Sequence, residues 1–473
     1  MVPMPSLHIL ILAAGKGTRM KSALPKVLHP LAGAPIIEYV LATAAALSPA
    51  SRTIVVGHLA ERMREALAAH GDLRFVVQEP QLGTAHAVAQ AAPLLEGATG
   101  TLLLLYGDVP RLSVQTVRAL LDEHERAGNA ATVLTAVVPD PSGYGRIIRD
   151  PGGIARIVEH RDATPDERAV REINSGIYAF ELEPLFPALS RIATDNDQGE
   201  YYLTDLVAIY RREGKRVGAV VAERPDEILG INGRGELAAM AKRIWRERAE
   251  ALMASGVTLE DPDTVYVDAG VVVGRDTTIR PGVILEGRTT IGANCVIHPG
   301  VHIEDSTLED NVVVFDYSVI TGAQIAEHAE VGPFARLRPE AEVGREAKIG
   351  NFVELKKTRL GAGSKAMHLA YLGDATIGGN VNIGAGTITC NYDGVRKNPT
   401  TIEEGAFIGS DSQLVAPVKV GRGAYVAAGS SITRDVPAGA LGIARGRQEN
   451  HEGWVERRKR KQAEAAERKP EKT

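Results

Sequence analysis

Two hydrophobic rhythms divide the chain. From Val267 onward aliphatic residues recur at every sixth position, as Val267, Val273, Ile279, Leu285, Ile291, Ile297 and Ile303. After a one-residue slip the series continues through Leu308, Val314 and Ile320, then Ile325, Val331, Leu337, Val343, Ile349 and Leu355. Leu360, Ala366, Leu372, Ile377 and Ile383 follow, an insertion over 384–401 interrupts, and Ile402, Ile408, Leu414, Val420, Val426 and Ile432 resume it. A period of six fits neither an α-helix nor an alternating strand. It predicts a hexapeptide β-helix, each hexad forming one short strand and one corner, with three hexads per coil. Stacked coils bury a continuous ladder, so the length of the array carries its stability.

The first half moves differently. Leu7-His8-Ile9-Leu10-Ile11 is an apolar run that reads as a buried parallel strand, and Pro35 to Leu47 has helical spacing. Strands over 53–57, 74–78 and 102–105 alternate with helices over 59–69 and 84–95. That alternation predicts a mainly parallel, doubly wound (Rossmann-like) α/β sheet, whose ligands collect beyond the carboxyl ends of its strands. Between the halves, Gly235 to Met253 aligns Leu237, Met240, Ala241, Ile244, Trp245, Arg248 and Leu252 on one stripe of a connecting helix. The expected organisation is an α/β domain over 1–233, a helical linker over 234–255, a β-helix over 256–455 and a charged tail over 456–473. For the tail, a solvated mobile segment, a helix clamping a neighbour and a basic contact with anionic partners all stay open.

Composition narrows the setting. Among 473 residues, 54 Lys and Arg nearly balance 59 Asp and Glu, so no overall field points to nucleic acid or a membrane surface. Cys295 and Cys390 are too few for a disulfide framework and fit a reducing cytoplasm. No apolar stretch reaches membrane-spanning length, and residues 1–6 lack the regions of a signal peptide, so a cytoplasmic protein is expected.

Chemistry concentrates at the ends of the first-half strands. Leu12-Ala13-Ala14-Gly15-Lys16-Gly17-Thr18-Arg19-Met20, closed by Leu24-Pro25-Lys26, follows the first strand. A small-residue loop there exposes backbone N–H groups, and Lys16, Arg19 and Lys26 add cations with no carboxylate between them, a site for a polyanion. The spacing is neither that of a P-loop nor that of the dinucleotide fingerprint, whose third glycine is replaced by Met20. Gln78 and Gln81-Leu82-Gly83-Thr84 could read a base edge. In Tyr106-Gly107-Asp108 the aspartate is placed to hold Mg²⁺, since it lies too early to cap the helix near Ser113, and Asn232 could complete the metal's oxygen shell. Glu159 and Asn174 could bind sugar hydroxyls or be ordinary surface polar groups. In the second half, a dense polar set (Arg338, Glu354, Lys356, Lys357, His368, Tyr371, Asn382, Asn391, Tyr392) exceeds what a structural solenoid needs, while a histidine such as His368, taken alone, is more often a solvated or packed residue.

The loop resembles that of sugar-nucleotide pyrophosphorylases. With Gln-Leu-Gly-Thr at 81–84, Tyr-Gly-Asp-Val-Pro at 106–110, Gly-Tyr-Gly-Arg at 143–146, Val-Glu-His at 158–160, Glu-Ile-Asn at 172–174 and Gln-Gly-Glu-Tyr-Tyr-Leu-Thr-Asp at 198–205, the chain is similar over residues 7–455 to one family. That family is the bacterial bifunctional N-acetylglucosamine-1-phosphate uridyltransferases/glucosamine-1-phosphate N-acetyltransferases. The resemblance implies a UDP-N-acetylglucosamine-producing enzyme supplying peptidoglycan and lipopolysaccharide precursors. Its substrates would be UTP, N-acetylglucosamine-1-phosphate, glucosamine-1-phosphate and acetyl-CoA.

By the same resemblance, Leu12, Ala13, Ala14, Gly15, Tyr106 and Gly107 line the nucleotide, Arg19 and Lys26 contact phosphates, and Gln78, Gly83 and Thr84 read uracil. Gly145, Glu159 and Asn174 hold the sugar, and Asp108 and Asn232 bind Mg²⁺. In the second half His368 is the general base, Arg338 and Lys356 bind the sugar phosphate, and Tyr371 and Asn382 hold the sugar. Ala385, Asn391, Tyr392, Ser410, Ala428 and Arg445 line the acetyl-CoA site. The β-helix is implied to be left-handed and the assembly a homotrimer that shares acetyl sites between subunits. Ala85, Gly233 and Pro399 depart from the family's usual residues. The alternative is a nucleotidyltransferase whose β-helix serves only assembly or regulation.

Overall fold

The computed structural model describes residues 6–57 and 59–467. The chain forms two compact units, Met1–Arg246 and Glu247–Thr473.

In the first unit the central path of the sheet runs Val217–Val221, Ala131–Val137, Glu172–Glu181, Thr101–Tyr106, Leu7–Leu12, Ser51–Val56, Leu73–Val77. Leu7–Leu12 pairs in parallel with both Ser51–Val56 and Thr101–Tyr106. The chain first winds outward on one side of Leu7–Leu12 and then returns to the other, so this strand's carboxyl end is the switch point where a crevice must open. The sheet is mixed: Glu172–Glu181 runs antiparallel to both its neighbours on the path. It also carries the hairpin Arg146–Asp150/Gly153–Val158 at its edge. Ile9, Ile11, Leu103 and Leu105 face one apolar layer and Leu10, Leu102 and Leu104 the other, which is why these runs read as uninterrupted apolar sequence. Two expected helices are shorter, Ala60–Ala66 and Thr84–Ala89. The second stops short of a 3₁₀ turn over Ala92–Leu94 that carries Pro93, a residue that cannot continue the α-helical hydrogen-bond ladder.

The helix Arg234–Ala254 begins in the first unit and ends in the second. Its Met240, Ala241 and Ile244 pack with Leu31, Ile36 and Ile231, whereas Ala249 and Leu252 join the apolar column of the second unit.

That second unit is a three-faced prism. Every third strand pairs in parallel, giving sheets of 11, 10 and 9 strands. The first face runs from Thr258–Leu259 to Leu441–Gly442, the second from Tyr266–Val267 to Ser431–Ile432, the third from Val272–Val273 to Val418–Val420. All the aliphatic residues picked out by the period of six are buried and meet in one core. Each such side chain stabilises the fold by about 2 kcal/mol relative to exposure, so the stacked column, more than any hydrogen bond, fixes the register.

The insertion is smaller than the aliphatic pattern implied. Thr389 is buried and pairs with Leu414 in a regular strand, Ile388–Cys390, so the hexad continues after Ile383 with a polar occupant. The extra residues lie between Cys390 and Thr400. Between Val267 and Ile432, every departure from a spacing of six falls at the same edge, where the second face turns into the third: 303 to 308, 320 to 325, 355 to 360, 372 to 377, and the insertion itself. At the four shortened corners Asp305, Gly322, Lys357 and Asp374 adopt positive φ, one left-handed residue making the turn. Residues 454–467 form the exposed helix Trp454–Glu467, and residues 468–473 of the expected tail lie outside the described residues.

Candidate functional site

Two adjoining cavities open at the switch point. One, of ≈ 360 Å³, is lined by Leu12, Ala13, Ala14, Gly15, Lys26, Gln78, Gln81, Gly83, Thr84, Tyr106, Asp108, Glu200 and Asn232. The other, of ≈ 300 Å³, is lined by Gly145, Glu159, Asn174, Tyr178, Gln198, Tyr202 and Thr204 among others, and shares Thr84, Tyr106 and Glu200 with the first. The residues expected to hold nucleotide thus fall in one lobe and those expected to hold sugar in its neighbour. Gly107 is buried directly beside them, its amide donating to Leu12 O at 2.9 Å. Arg19 is exposed on the 3₁₀ turn Thr18–Met20 and stands outside the lining of both lobes.

Local geometry explains the loop chemistry. Gln78, 5% exposed, donates its amide to Gly83 O (2.9 Å), so it props the Gly83 turn from beneath. Gly83 sits at φ +111°, and a Cβ there would meet Tyr201 O at 2.6 Å, so only glycine brings this backbone so near the cavity. Gln81 donates to Ala14 O and ties the two phosphate- and base-facing loops together. Glu200 lines the nucleotide lobe although the sequence reading gave it no role of its own; it lies in a motif that reading had marked.

A cationic centre forms the floor. Lys26 Nζ donates to Asp108 Oδ2 and lies 3.4 Å from Asn232 Oδ1. A carboxylate and an amide oxygen brought from positions 124 residues apart (232 − 108) therefore face one cation. Ser113, not Asp108, caps the following helix, accepting from Thr116 N at 3.1 Å. Two oxygens, partial solvent access and an adjoining phosphate-sized space suit a divalent ion that keeps water and takes substrate oxygens as further ligands.

The sugar lobe is strongly polar and partly desolvated. A Cβ on Gly145 would lie 3.4 Å from Asn174 Cβ and 3.5 Å from Glu159 Oε1, so these three residues share one wall. Asn174 Oδ1 accepts from Tyr178 Oη (2.9 Å) and Gly176 N (3.0 Å), which leaves its amide N–H₂ for a ligand. Burial pushes the Glu159 carboxyl above its ordinary range, opposed by a hydrogen bond from Thr204 and reinforced by Asp162, Asp205 and Glu200. Burial likewise raises the Tyr106 phenol, with the charges of Asp108 and Glu159 adding to it. A larger cavity, ≈ 890 Å³, lies at the opposite end of the same sheet, by Thr101 and Ala130, and holds none of the residues selected from sequence.

On the prism the acetyl-site candidates divide between two edges of the second face. His368 ends the strand Lys365–His368, exposed, at the turn from first face to second; its Nδ1 lies 2.9 Å from Oδ1 of Asn351, its neighbour one coil below. Because the amide oxygen accepts, Nδ1 carries the proton and Nε2 is the basic nitrogen. Asn351 was missed; the signal for it is the one-coil offset of 17 residues. Ala385, Ser410 and Ala428 follow on successive coils at this edge: Asp411 N donates to Ala385 O (2.7 Å) and Gly429 N to Ser410 O (2.8 Å). Arg445 Nη1 closes the column on Ala428 O (2.8 Å).

At the far edge stand Arg338, Lys356, Asn391 and Tyr392. Arg338 Nη1 donates to Glu354 Oε1 (3.0 Å), and Asn391 donates to Asp374. Lys397, from the inserted loop, faces Lys356, whose hydrogen bond and charge hold its ammonium below the usual lysine range. Tyr371 lies on the face between the edges, in register with Glu354, and Asn382 projects from the first face in register with Lys365.

Comparison with known proteins assigns families to both halves of the chain. The MobA-like NTP transferase domain family matches residues 9–179, the GMPPB C-terminal domain family residues 266–338, and the bacterial transferase hexapeptide family, as six repeats, residues 399–434. The chain is 51% identical to the Bifunctional protein GlmU of Trichlorobacter lovleyi over 94% of this chain and 97% of that one. It is 50% identical to that of Pelobacter propionicus (97% and 100%) and 49% identical to that of Brevibacillus brevis (97% and 99%). The fold is therefore a Rossmann-like nucleotidyltransferase domain followed by a left-handed hexapeptide β-helix, and the protein is both a nucleotidyltransferase and an acyltransferase. With half its residues shared along nearly the whole length of such relatives, the chain belongs to the bifunctional GlmU family.

Proposed function

We propose that the prism moves acetyl from acetyl-CoA to the amine of glucosamine-1-phosphate, and that the α/β unit then joins the product to the uridylyl group of UTP. UDP-N-acetylglucosamine and pyrophosphate are released. The observation that carries the reading is the pair of adjoining lobes, one floored by Lys26, Asp108 and Asn232 and the other walled by Gly145, Glu159 and Asn174. The working divisions are 1–233 for uridylyl transfer, 234–255 as linker, 256–455 for acetyl transfer and 456–473 as tail.

Uridylyl transfer needs no protein nucleophile. A sugar-phosphate oxygen attacks the α-phosphorus in line while pyrophosphate departs, and the rate comes from alignment and charge stabilisation. Asp108 and Asn232 would hold Mg²⁺, which when bound neutralises charge on the phosphoryl oxygens. Lys26 leaves Asp108 for a phosphate oxygen, joined by Arg19 as the exposed turn folds inward. Gly83, Thr84 and the Gln78-propped backbone read the uracil edge, and Asn174 and Glu159 orient the sugar.

In acetyl transfer, His368 Nε2 takes a proton from the 2-ammonium of glucosamine-1-phosphate. The free amine attacks the thioester carbon, the C–S bond breaks, and the surplus proton on nitrogen passes to the departing coenzyme thiolate. Arg338 and Lys356 bind the phosphate, Tyr371 and Asn382 the sugar, and Ala385, Asn391, Tyr392, Ser410, Ala428 and Arg445 the coenzyme. Because the candidates stand on two edges of one face, a homotrimer that sets one copy's edge against another's supplies the whole site. The cytoplasm, which holds both UTP and acetyl-CoA, is the compartment.

Two assays on the purified chain test this: acetyl-CoA with glucosamine-1-phosphate, and UTP with N-acetylglucosamine-1-phosphate. Both products are expected. Uridylyl transfer alone would leave the prism an assembly module.

A further inference from the structure

Two motifs of the α/β unit end on residues that the proposed reaction leaves idle: Arg146 of Gly-Tyr-Gly-Arg and His160 of Val-Glu-His. The fold brings them together. Arg146 is 1% exposed and is the largest of the fully buried side chains. Burial lowers its pKa, and among the described residues no carboxylate bonds to it. A cation buried without a counter-ion is costly unless every donor finds an acceptor. Here all three arms of the guanidinium do. Nη1 donates to Tyr144 O, Nη2 to His160 Nδ1 (3.2 Å) and Nε to Arg168 O (3.4 Å). The acceptors lie on separate segments: the turn before Arg146–Asp150, the turn after Gly153–Val158, and the end of the short helix Pro165–Arg168. Tyr144, Gly145 and Glu159 line the sugar lobe, whereas Arg146 and His160 stand outside its lining.

We infer that Arg146 is a positioning residue, whose grip on Tyr144 O and His160 sets the wall of the sugar lobe and with it the affinity for the sugar phosphate. The assignment rests on the uridylyl-transfer reading above and adds the group that holds the sugar-binding atoms in place. Peptide geometry supplies the first link. In a trans peptide the C=O and N–H point in opposite directions. With Tyr144 O drawn to the guanidinium, the Gly145 N–H is turned away from it, and among the described residues that N–H has no acceptor. It stands as a donor for a ligand oxygen. Gly145 O accepts from Asn174 N (2.9 Å), so the backbone of Asn174 is tied to the same braced residue. The second link runs through His160. Asp162 N and Ala163 N donate to Glu159 O (3.1 and 3.0 Å), which places His160 in a tight turn that Glu159 opens. Fixing the imidazole therefore fixes the turn that aims the Glu159 carboxylate. Because Nδ1 accepts, the imidazole is neutral with its proton on Nε2. Lysine cannot take over the task, since a single ammonium does not span three acceptors set around a planar fork.

Steady-state uridylyl transfer by the full chain tests this, with N-acetylglucosamine-1-phosphate and UTP each varied. Arg146→Lys should raise KM for the sugar phosphate about tenfold or more, the scale of a misplaced binding group, with KM for UTP changed less than about twofold. Acetyl transfer should stay at the wild-type rate. His160→Leu, at a half-buried position, should raise the same KM several-fold. His160→Gln, whose amide oxygen accepts in place of Nδ1, should bring it back to within about twofold of wild type. Should Arg146→Lys fail to fold, the two His160 variants decide alone. Equal KM values for His160→Leu and His160→Gln overturn the assignment, as does a KM for UTP that rises in step with that for the sugar phosphate. A lowered melting temperature with both KM values at wild-type level makes the fork a structural brace only, and also overturns it. A wild type without uridylyl transfer sinks the reading and the assignment together; an active wild type with any of those other results sinks the assignment alone.

Discussion

The two units solve the problem of gathering a site in opposite ways. In the α/β unit, residues from positions 12 to 232 converge on two adjoining lobes of one chain, because a reversal of winding beside Leu7–Leu12 turns many loops toward one crevice. In the prism, sequence neighbours stay spatial neighbours. A residue can share an edge only with those one coil away, so His368 and Lys356 stand on different edges although twelve positions apart (368 − 356). A winding fold assembles a site from its own loops; on the proposed reading, a stacked fold lays out half-sites and leaves the joining to association.

The sharpest break in that contrast is a crossed pair of variants. Asp108→Ala should lower uridylyl transfer by about a thousandfold or more, the scale of losing a major charge-stabilising group, with acetyl transfer unchanged. His368→Ala should lower acetyl transfer by about 10²–10⁴-fold with uridylyl transfer unchanged. Steady-state rates of both reactions on each variant check this, and folded variants that lost both activities would refute two independent sites.

A smaller effect separates self-contained from shared. Co-expressing His368→Ala with Lys356→Ala chains should restore acetyl transfer to about a quarter of wild type, the share of sites drawing each residue from an intact copy when subunits mix at random. The matching mixture in the α/β unit, Asp108→Ala with Glu159→Ala, should restore nothing. Assays of the mixed assemblies against each variant alone give the answer.

How much of this was written in the sequence follows the same divide. The hexad period gave the core of the prism nearly residue by residue, because one buried aliphatic per strand is all that the fold demands. It misread the insertion because Thr389 fills a slot with a polar side chain that the coil accommodates through Oγ1, which donates to Gly373 O at 3.0 Å. In the α/β unit, the motifs at the strand ends gather around the two lobes, because small residues, amides and acids there are not used up in core packing. Arg19 stands outside the lining of both lobes, because charge in sequence does not say which way an exposed turn faces. Asn351 was under-read, because its tie to His368 is a coil-to-coil relation that sequence motifs, being local, do not display.

The smallest expected effect concerns pH. Burial raises the Glu159 carboxyl above its ordinary range, so the folded protein holds that proton more tightly than the unfolded chain does. The stability this contributes is fully present below the unfolded carboxylate pKa and is lost as pH rises through the folded one. Glu159→Gln should therefore unfold at a higher temperature than wild type near neutrality, and the difference should shrink on acidification through the carboxylate range. Calorimetry across that range checks the sign; a gap that widened toward acid would contradict the burial argument.

Between Val267 and Ile432, the edge where second face meets third carries every irregular spacing, short turns and long loop alike. Coil stacking elsewhere is indifferent to what happens there, so this edge is a tolerant seam: chain can be added or trimmed without displacing the turns above. The loop bearing Asn391, Tyr392 and Lys397 is grafted at that seam. New binding groups can thus be tried against a substrate while the aliphatic column beneath keeps its register.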